Sequence, residues 1–446
     1  MDAAPRSGPS PIAMTLVNMS SLRRLALVAG LAFLVTLAVL TERGGETPSA
    51  AAPAPAVGSP RPVRDDLARL QSAVRRSPAA AAPRVALASA YLQRVRETGD
   101  PAFYERAEAL LRGVLAREPR NADALVESAA LALARHDFRG GLELARRSRA
   151  GLAALPVTVD ALVELGRYGE ARAALQRLAD RKPNLGTYAR VSYLRELHGD
   201  LRGAAGALGL AAAAGGPARE NAAAIDVLRG DLALVRGRPG EARSAYMRAT
   251  LNQGSDPSSR VGGGYAPAAA GLARLAAYRG DLRGSVRRWR ALVARLPLPE
   301  YAIALGEAEL AAGRARAARR DLALVDAQRL LLARAGVNTD VELATFESDH
   351  GDRARGLRLA RRAWAAAPSV RSADALGWAL TRSGRPRAGL RLARHARRLG
   401  SADPLFAFHA GMSARGSERR KLLRFALAHG LAAHPWHARL AREALR

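Results

Sequence analysis

The stretch Val163 to Pro183 reads VELGRYGEARAALQRLADRKP, and its layout decides the fold. An apolar run ends at Gly166. A short polar turn follows, then an amphipathic segment with Ala171 and Leu175 on one face, and Pro183 closes it. Glycine reaches the left-handed conformation that ends a helix at little cost. Proline cannot continue a helix. The stretch therefore predicts a helix, a turn and a second helix that packs back on the first.

The same layout recurs along the chain. Gly166, Gly199, Gly237, Gly280, Gly313, Gly351, Gly384 and Gly416 each stand between two amphipathic segments, and His136 holds the same setting without being Gly. From His136 onward the gaps are 30, 33, 38, 43, 33, 38, 33 and 32 residues, so the period centres near 34. Five residues after the anchor comes a small residue: Ala171, Ala204, Ala242, Ser285, Ala318, Gly356, Gly389. Nine residues after it comes a large apolar one: Leu175, Leu208, Tyr246, Trp289, Leu322, Phe425. The small residue lets two helices approach closely. The large one fills the space between successive hairpins. Ala375 to Ala396 (ALGWALTRSGRPRAGLRLARHA) repeats the pattern, and Ala82 to Pro119 supplies a first unit with Gly99-Asp100-Pro101 as a longer turn.

These residues resemble the tetratricopeptide repeat, a helix-turn-helix unit of about 34 residues. The stretches SYLRELHGD (192–200), LPLPEYAIALGE (296–307), GVNTDVELATFESDHGD (336–352) and FHAGM (408–412) are similar to one bacterial group of such proteins. The resemblance implies an all-α, right-handed solenoid of about ten hairpins over residues 64–437, with a C-terminal cap at 438–446. It also implies a concave groove lined by first helices. Carried onto this chain by register before each anchor, the groove positions include Tyr193, Glu196, Asp231, Arg274, Tyr278, Glu300, Glu307, Asn338, Thr345, Asp374, Trp378 and Arg382. Aromatic and Arg side chains are the commonest binding hot spots. Tyr193, Arg274, Tyr278 and Trp378 therefore lead that list, and Asn338 could bracket a peptide backbone with its amide. Two departures stand out. His136 in place of Gly predicts a differently ended helix in the second unit. The 43-residue gap holds an insertion at 252–264, read as a surface loop.

Ahead of the repeats lie three segments: a tail at 1–22, an apolar segment at 23–41, and a Pro/Ala-rich linker at 42–63. Arg23-Arg24 precede an apolar run from Leu25 to Leu40, interrupted only by Thr36. About 7–15 residues suit a signal peptide's core, and about 17–25 suit a spanning helix. This run lies between them. It predicts a signal anchor through residues 25–41, single-pass in the cell membrane, with the repeats outside the cytoplasm. The alternative is export after cleavage.

Composition adds a charge of +30 and no cysteine. Without Cys there are no disulfides and no thiolate metal sites. Only Lys182 and Lys421 are lysine, so the excess is almost wholly Arg, as GC-rich coding produces. The surface should still draw acidic partners in a salt-dependent way. No basic stretch is studded with aromatics for base stacking. Nucleic acid or an anionic envelope polymer is thus the alternative to a protein partner.

No glycine loop with Lys-Ser/Thr, nucleophile elbow or HExxH occurs. His429, His434 and His437 cluster late in the chain, with His409 before them. Pro435 interrupts the pair, and no neighbouring carboxylate has a ligand's spacing. The expectation is a scaffold for acidic protein or peptide partners, without catalytic residues, metal or cofactor.

Overall fold

The computed structural model describes residues 63–216, 219–252 and 265–446. The tail, the apolar run, all but the last residue of the linker, and all but the first residue of the 252–264 insertion lie outside them. Among the described residues every regular element is helical. No described helix is long and apolar enough to cross a membrane.

A leading helix, α1 (Val63–Arg76), packs on the first of ten hairpins. Hairpin 1 joins α2 (Ala81–Thr98) to α3 (Ala102–Leu115), and hairpin 2 joins α4 (Ala122–Ala134) to α5 (Phe138–Ser148). Hairpin 3 is α6 (Leu155–Glu164) with α7 (Tyr168–Arg181), and hairpin 4 is α8 (Leu185–Leu197) with α9 (Leu201–Ala214). Hairpin 5 is α10 (Arg219–Val235) with α11 (Pro239–Asn252), and hairpin 6 is α12 (Ala266–Tyr278) with α13 (Leu282–Arg295). Hairpin 7 is α14 (Pro299–Ala311) with α15 (Ala315–Leu322), followed by an extra helix, α16 (Leu324–Arg334). Hairpins 8 to 10 are α17 (Asp340–His350) with α18 (Arg353–Ala366), α19 (Val370–Arg382) with α20 (Pro386–Ala396), and α21 (Pro404–Ser413) with α22 (Gly416–Ala428). A short 3-10 turn (Leu431–Ala433) leads to the last helix, α23 (Pro435–Glu443). The domain edge expected at 437/438 therefore falls inside α23.

Local chemistry explains the hairpins. Gly166, Gly199, Gly237, Gly280, Gly313, Gly384 and Gly416 all have positive φ. Gly351 does not, at φ −125°, and there the Glu347 carboxylate accepts from the Asp352 amide instead. His136 was expected to end its helix differently. It adopts φ 62°, the glycine-like conformation, and its ring Nδ1 donates to the Asn338 carbonyl at 2.6 Å. Histidine tolerates that region better than most residues, and a hydrogen bond from the ring offsets its cost. Asp137, Asp200, Asp281 and Asp352 cap the second helices by accepting from backbone amides.

The five-on residues Ala171, Ala204, Ala242, Ser285 and Ala318 are fully buried, as are the nine-on residues Leu175, Leu208, Tyr246 and Trp289. Hairpin packing thus follows the sequence spacing closely.

Candidate functional site

First helices face the superhelix axis, and here the coil is tight enough that its turns touch. The Tyr168 hydroxyl accepts from the Val370 amide at 2.9 Å, and the His136–Asn338 bond spans the same 202 residues. The Asn338 amide donates to the Arg135 carbonyl at 3.0 Å. A Cβ at Gly166 would collide with the Pro368 carbonyl, and one at Gly199 with the Gly400 carbonyl. Hairpins 2, 3 and 4 thereby carry hairpins 8, 9 and 10, six units further on. The inner faces also meet near the start: Glu220 accepts from Gln93 at 3.2 Å and from Tyr265 at 2.7 Å.

The groove candidates consequently line a covered interior more than an open trough. Trp378 is 1% exposed, stacks on His409 with ring centroids 4.5 Å apart, and donates its indole N–H to Asp349 at 2.9 Å. Arg274 donates to Asp231 at 2.6 Å, and the Tyr246 hydroxyl donates to the same carboxylate oxygen. Tyr193 donates weakly to Glu164 at 3.5 Å. Tyr278 is half-buried beside Gly237, and Glu307 is buried. Asn338 is exposed, but its backbone grips Arg135 while its side chain accepts from the Asp340 amide, so it holds the earlier turn of this chain. Arg382 lies 5.5 Å over the Trp378 ring and donates Nε to the Ser348 carbonyl.

Between the turns, Glu164 is 8% exposed, in a small cavity with Glu342 and Arg371. Burial pushes its carboxyl up to about 7, against the pull of Arg371 and helped by Asp160 and Glu342. Glu196 is pushed to the same value by burial, then by Asp403 and Asp231.

The other end of the inner face is covered by the chain itself. α23 packs on α14, α21 and α22, and the 3-10 turn before it packs on α12. Arg439 donates to the Leu310 carbonyl at 3.0 Å, and Trp436 lies 4.6 Å from the His350 ring. His437 Nδ1 is 3.7 Å from Glu307, and its Nε2 is 3.5 Å from Asp349. Burial alone would raise both carboxyls. The charge of His437, with His350 beside Glu307, more than offsets it and holds both below the usual carboxylate range.

The Pro at 435 starts a helix, and distant first helices supply the carboxylates that local spacing lacked. Glu164 and Asp349 were missed as inner-face residues, although each stands two before its Gly, in the register that selected Tyr278 and Arg382. The closing of one turn on another has no local signature.

One recess remains. A cavity of about 640 Å³ is lined by Arg353, Trp378, Thr381, Arg382, Ser383 and Met412, from hairpins 8, 9 and 10.

Repeated helical hairpins, stacked first helix to first helix, define an all-α hairpin array of the kind the tetratricopeptide resemblance predicted. No family model matches the chain, and no curated protein matches it. Among solved structures it is similar to the APC/C hetero-tetramer Cut9-Hcn1, at 15% identity and a TM-score of 0.30, over 86% of this chain and 93% of that one. It is also similar to the TPR domain of P58(IPK), at 13% identity and a TM-score of 0.27, over 86% and 95%. The fold is defined by the chain's own hairpin contacts, and neither neighbour's partners carry over to it.

Proposed function

We propose that the array is a protein-binding scaffold whose entry point is the cavity across hairpins 8 to 10. The observation that carries this is the lining itself: two guanidinium groups beside a thioether and an indole in a recess of about 640 Å³. Arg pairs carboxylates through directed, charge-assisted hydrogen bonds. Met adapts its shape to an apolar neighbour. That chemistry suits an extended segment with an acidic residue next to an apolar one. It agrees with the acidic partners that a charge of +30 favours.

The test is capture of partners on full-length protein from nuclease-treated extracts of its own cells, washed at low and moderate salt. Proteins kept at moderate salt, and lost from Arg353→Glu and Met412→Asp variants, support the reading. Recovery only at low salt or only without nuclease replaces it with an electrostatic binder of nucleic acid or anionic polymer.

We also propose, from the apolar run and the two arginines before it, that residues 25–41 hold the array outside the cytoplasm, with export after cleavage as the alternative. Membrane fractionation and protease access in intact spheroplasts check this. A cytoplasmic, protease-shielded array in soluble fractions would remove the tether.

A further inference from the structure

We infer that Glu307, Asp349 and His437 form a binding site for one divalent transition-metal ion, zinc being the best fit. These three are the described residues whose His and carboxylate ligand atoms all lie within 4.8 Å of one another. They come from α14, α17 and α23, so the site exists only when the C-terminal helix is docked.

Two further observations point to a ligand. First, His437 is 4% exposed, and neither of its ring nitrogens has a hydrogen-bond partner. A buried imidazole normally has at least one. The nearest oxygens stand at 3.5 and 3.7 Å. That is too long for a good hydrogen bond, and a small ligand movement would bring such atoms onto a shared cation. His409 Nε2 and Asp374 Oδ1, next to the cluster, are also buried without partners. Second, the supporting contacts are those of a metal site. Trp378 donates its indole N–H to Asp349 Oδ1, leaving Oδ2 toward His437. His350 Nε2 lies 3.2 Å from Glu307 Oε1 and holds that carboxylate from outside the cluster. Outer hydrogen bonds of this kind orient ligands in metal sites.

Charge balance agrees. Glu307 and Asp349 bring two negative charges into a buried site, and Arg382 Nε, at 3.7 Å from Asp349, is the nearest guanidinium contact. Burying unpaired charge is costly. One imidazolium offsets one charge, and a divalent ion offsets both. Imidazole and carboxylate together suit zinc, and three such protein ligands leave its fourth position open.

The experiment uses tag-free, full-length protein in detergent, stripped with a chelator. Cobalt(II) is titrated first, because its visible absorption reports a low-coordinate N/O site, and zinc is then added in competition. One cobalt per chain is expected, displaced by zinc. Binding should weaken more than about 100-fold in His437→Ala and Asp349→Asn, and about 10-fold in Trp378→Phe, which loses only the supporting hydrogen bond. Circular dichroism confirms that each variant is folded; Glu307→Gln replaces any that is not. Two results overturn the proposal. One is folded wild type that takes up no stoichiometric metal. The other is uptake unchanged in the folded His437 and Asp349 variants. In either case His437 only packs between the two carboxylates.

Discussion

Two regions of the inner face solve the same problem in opposite ways. Between the turns, Glu164 is buried where Asp160 and Glu342 oppose its charge and Arg371 only partly relieves it, and it is held up to about 7. Under α23, Glu307 and Asp349 are buried as deeply, yet both are held below the usual carboxylate range by the histidine that α23 lays over them. Burial is common to both regions. What differs is whether the positive charge brought by a separate element outweighs burial and the neighbouring acids: Arg371 does not for Glu164, whereas His437 and the histidines beside it do for Glu307 and Asp349. A helical repeat can thus keep an inner acid neutral by closing a second turn on it, or charged by folding a basic terminus across it.

The largest way to break this comparison is to remove the floor of the α23 region. Trp378→Ala deletes a side chain that is 1% exposed and unseats both Asp349 and His409. A loss of about 3–5 kcal/mol is expected, the range for large aromatic truncations. Because repeat arrays couple mainly to neighbours, hydrogen exchange should speed up in α17 to α23 and stay unchanged in α2 and α3, which make no described hydrogen bond to those helices. Equal acceleration at both ends would mean the two regions are one cooperative unit.

The second break is by pH. Glu164 is raised from 4.5 to about 7 on folding, so the native state binds a proton that the unfolded chain has released. Its stabilising contribution is complete below about pH 4.5 and is lost as pH rises through about 7. The loss is roughly 3 kcal/mol for this one buried group. Denaturant midpoints measured from pH 5 to 8 should fall with rising pH in wild type, and fall less in Glu164→Gln. A slope untouched by that substitution would assign it to other acids, Glu196 among them.

The hairpins were legible in the sequence because each is a local contract: an anchor residue, a small residue five on, a large one nine on. Ala171 and Leu175 are as buried as their spacing required. Even His136, which breaks the pattern by identity, keeps it by conformation. The inner face was legible only in part. Register picked Asp231, Arg274, Glu307 and Trp378, and the structure buries or half-buries each of them. Their covering was not readable, because the contacts that close the coil join residues 202 or 203 apart, and in each the partner on the later turn is a backbone amide or carbonyl. A backbone partner leaves no mark in residue type. Likewise His437 met its carboxylates through α23 crossing to α14 and α17, a path that no spacing in the sequence records.

Those inter-turn contacts can be tested at Gly199, which has φ 76° and sits against the Gly400 carbonyl. Gly199→Ala places a Cβ in a left-handed residue, costing about 1–2 kcal/mol on that ground alone. It also pushes the turns apart. Faster exchange at Gly400 and Ser401 amides than at α9 amides is the expected signature. Destabilisation confined to hairpin 4 would show that the turns merely lie near each other.

The smallest effect sharpens the comparison most. Tyr193→Phe removes one weak hydrogen bond, 3.5 Å long, to Glu164. That bond favours the ionised carboxylate, because it lowers the Glu164 carboxyl against the stronger push of burial. Burial keeps the Tyr193 phenol protonated, so it remains a donor. Below about pH 5 the variant should match wild type within about 0.5 kcal/mol, since a neutral acid gains little from that donor. Above about pH 7 it should be less stable by about 1 kcal/mol, the ordinary worth of a hydrogen bond to a charged group of poor geometry. The midpoint of the pH transition should therefore move upward. A variant that loses stability equally at both pH values would mean that Tyr193 acts by packing, and that the neutral state of Glu164 is set by the closed turn alone.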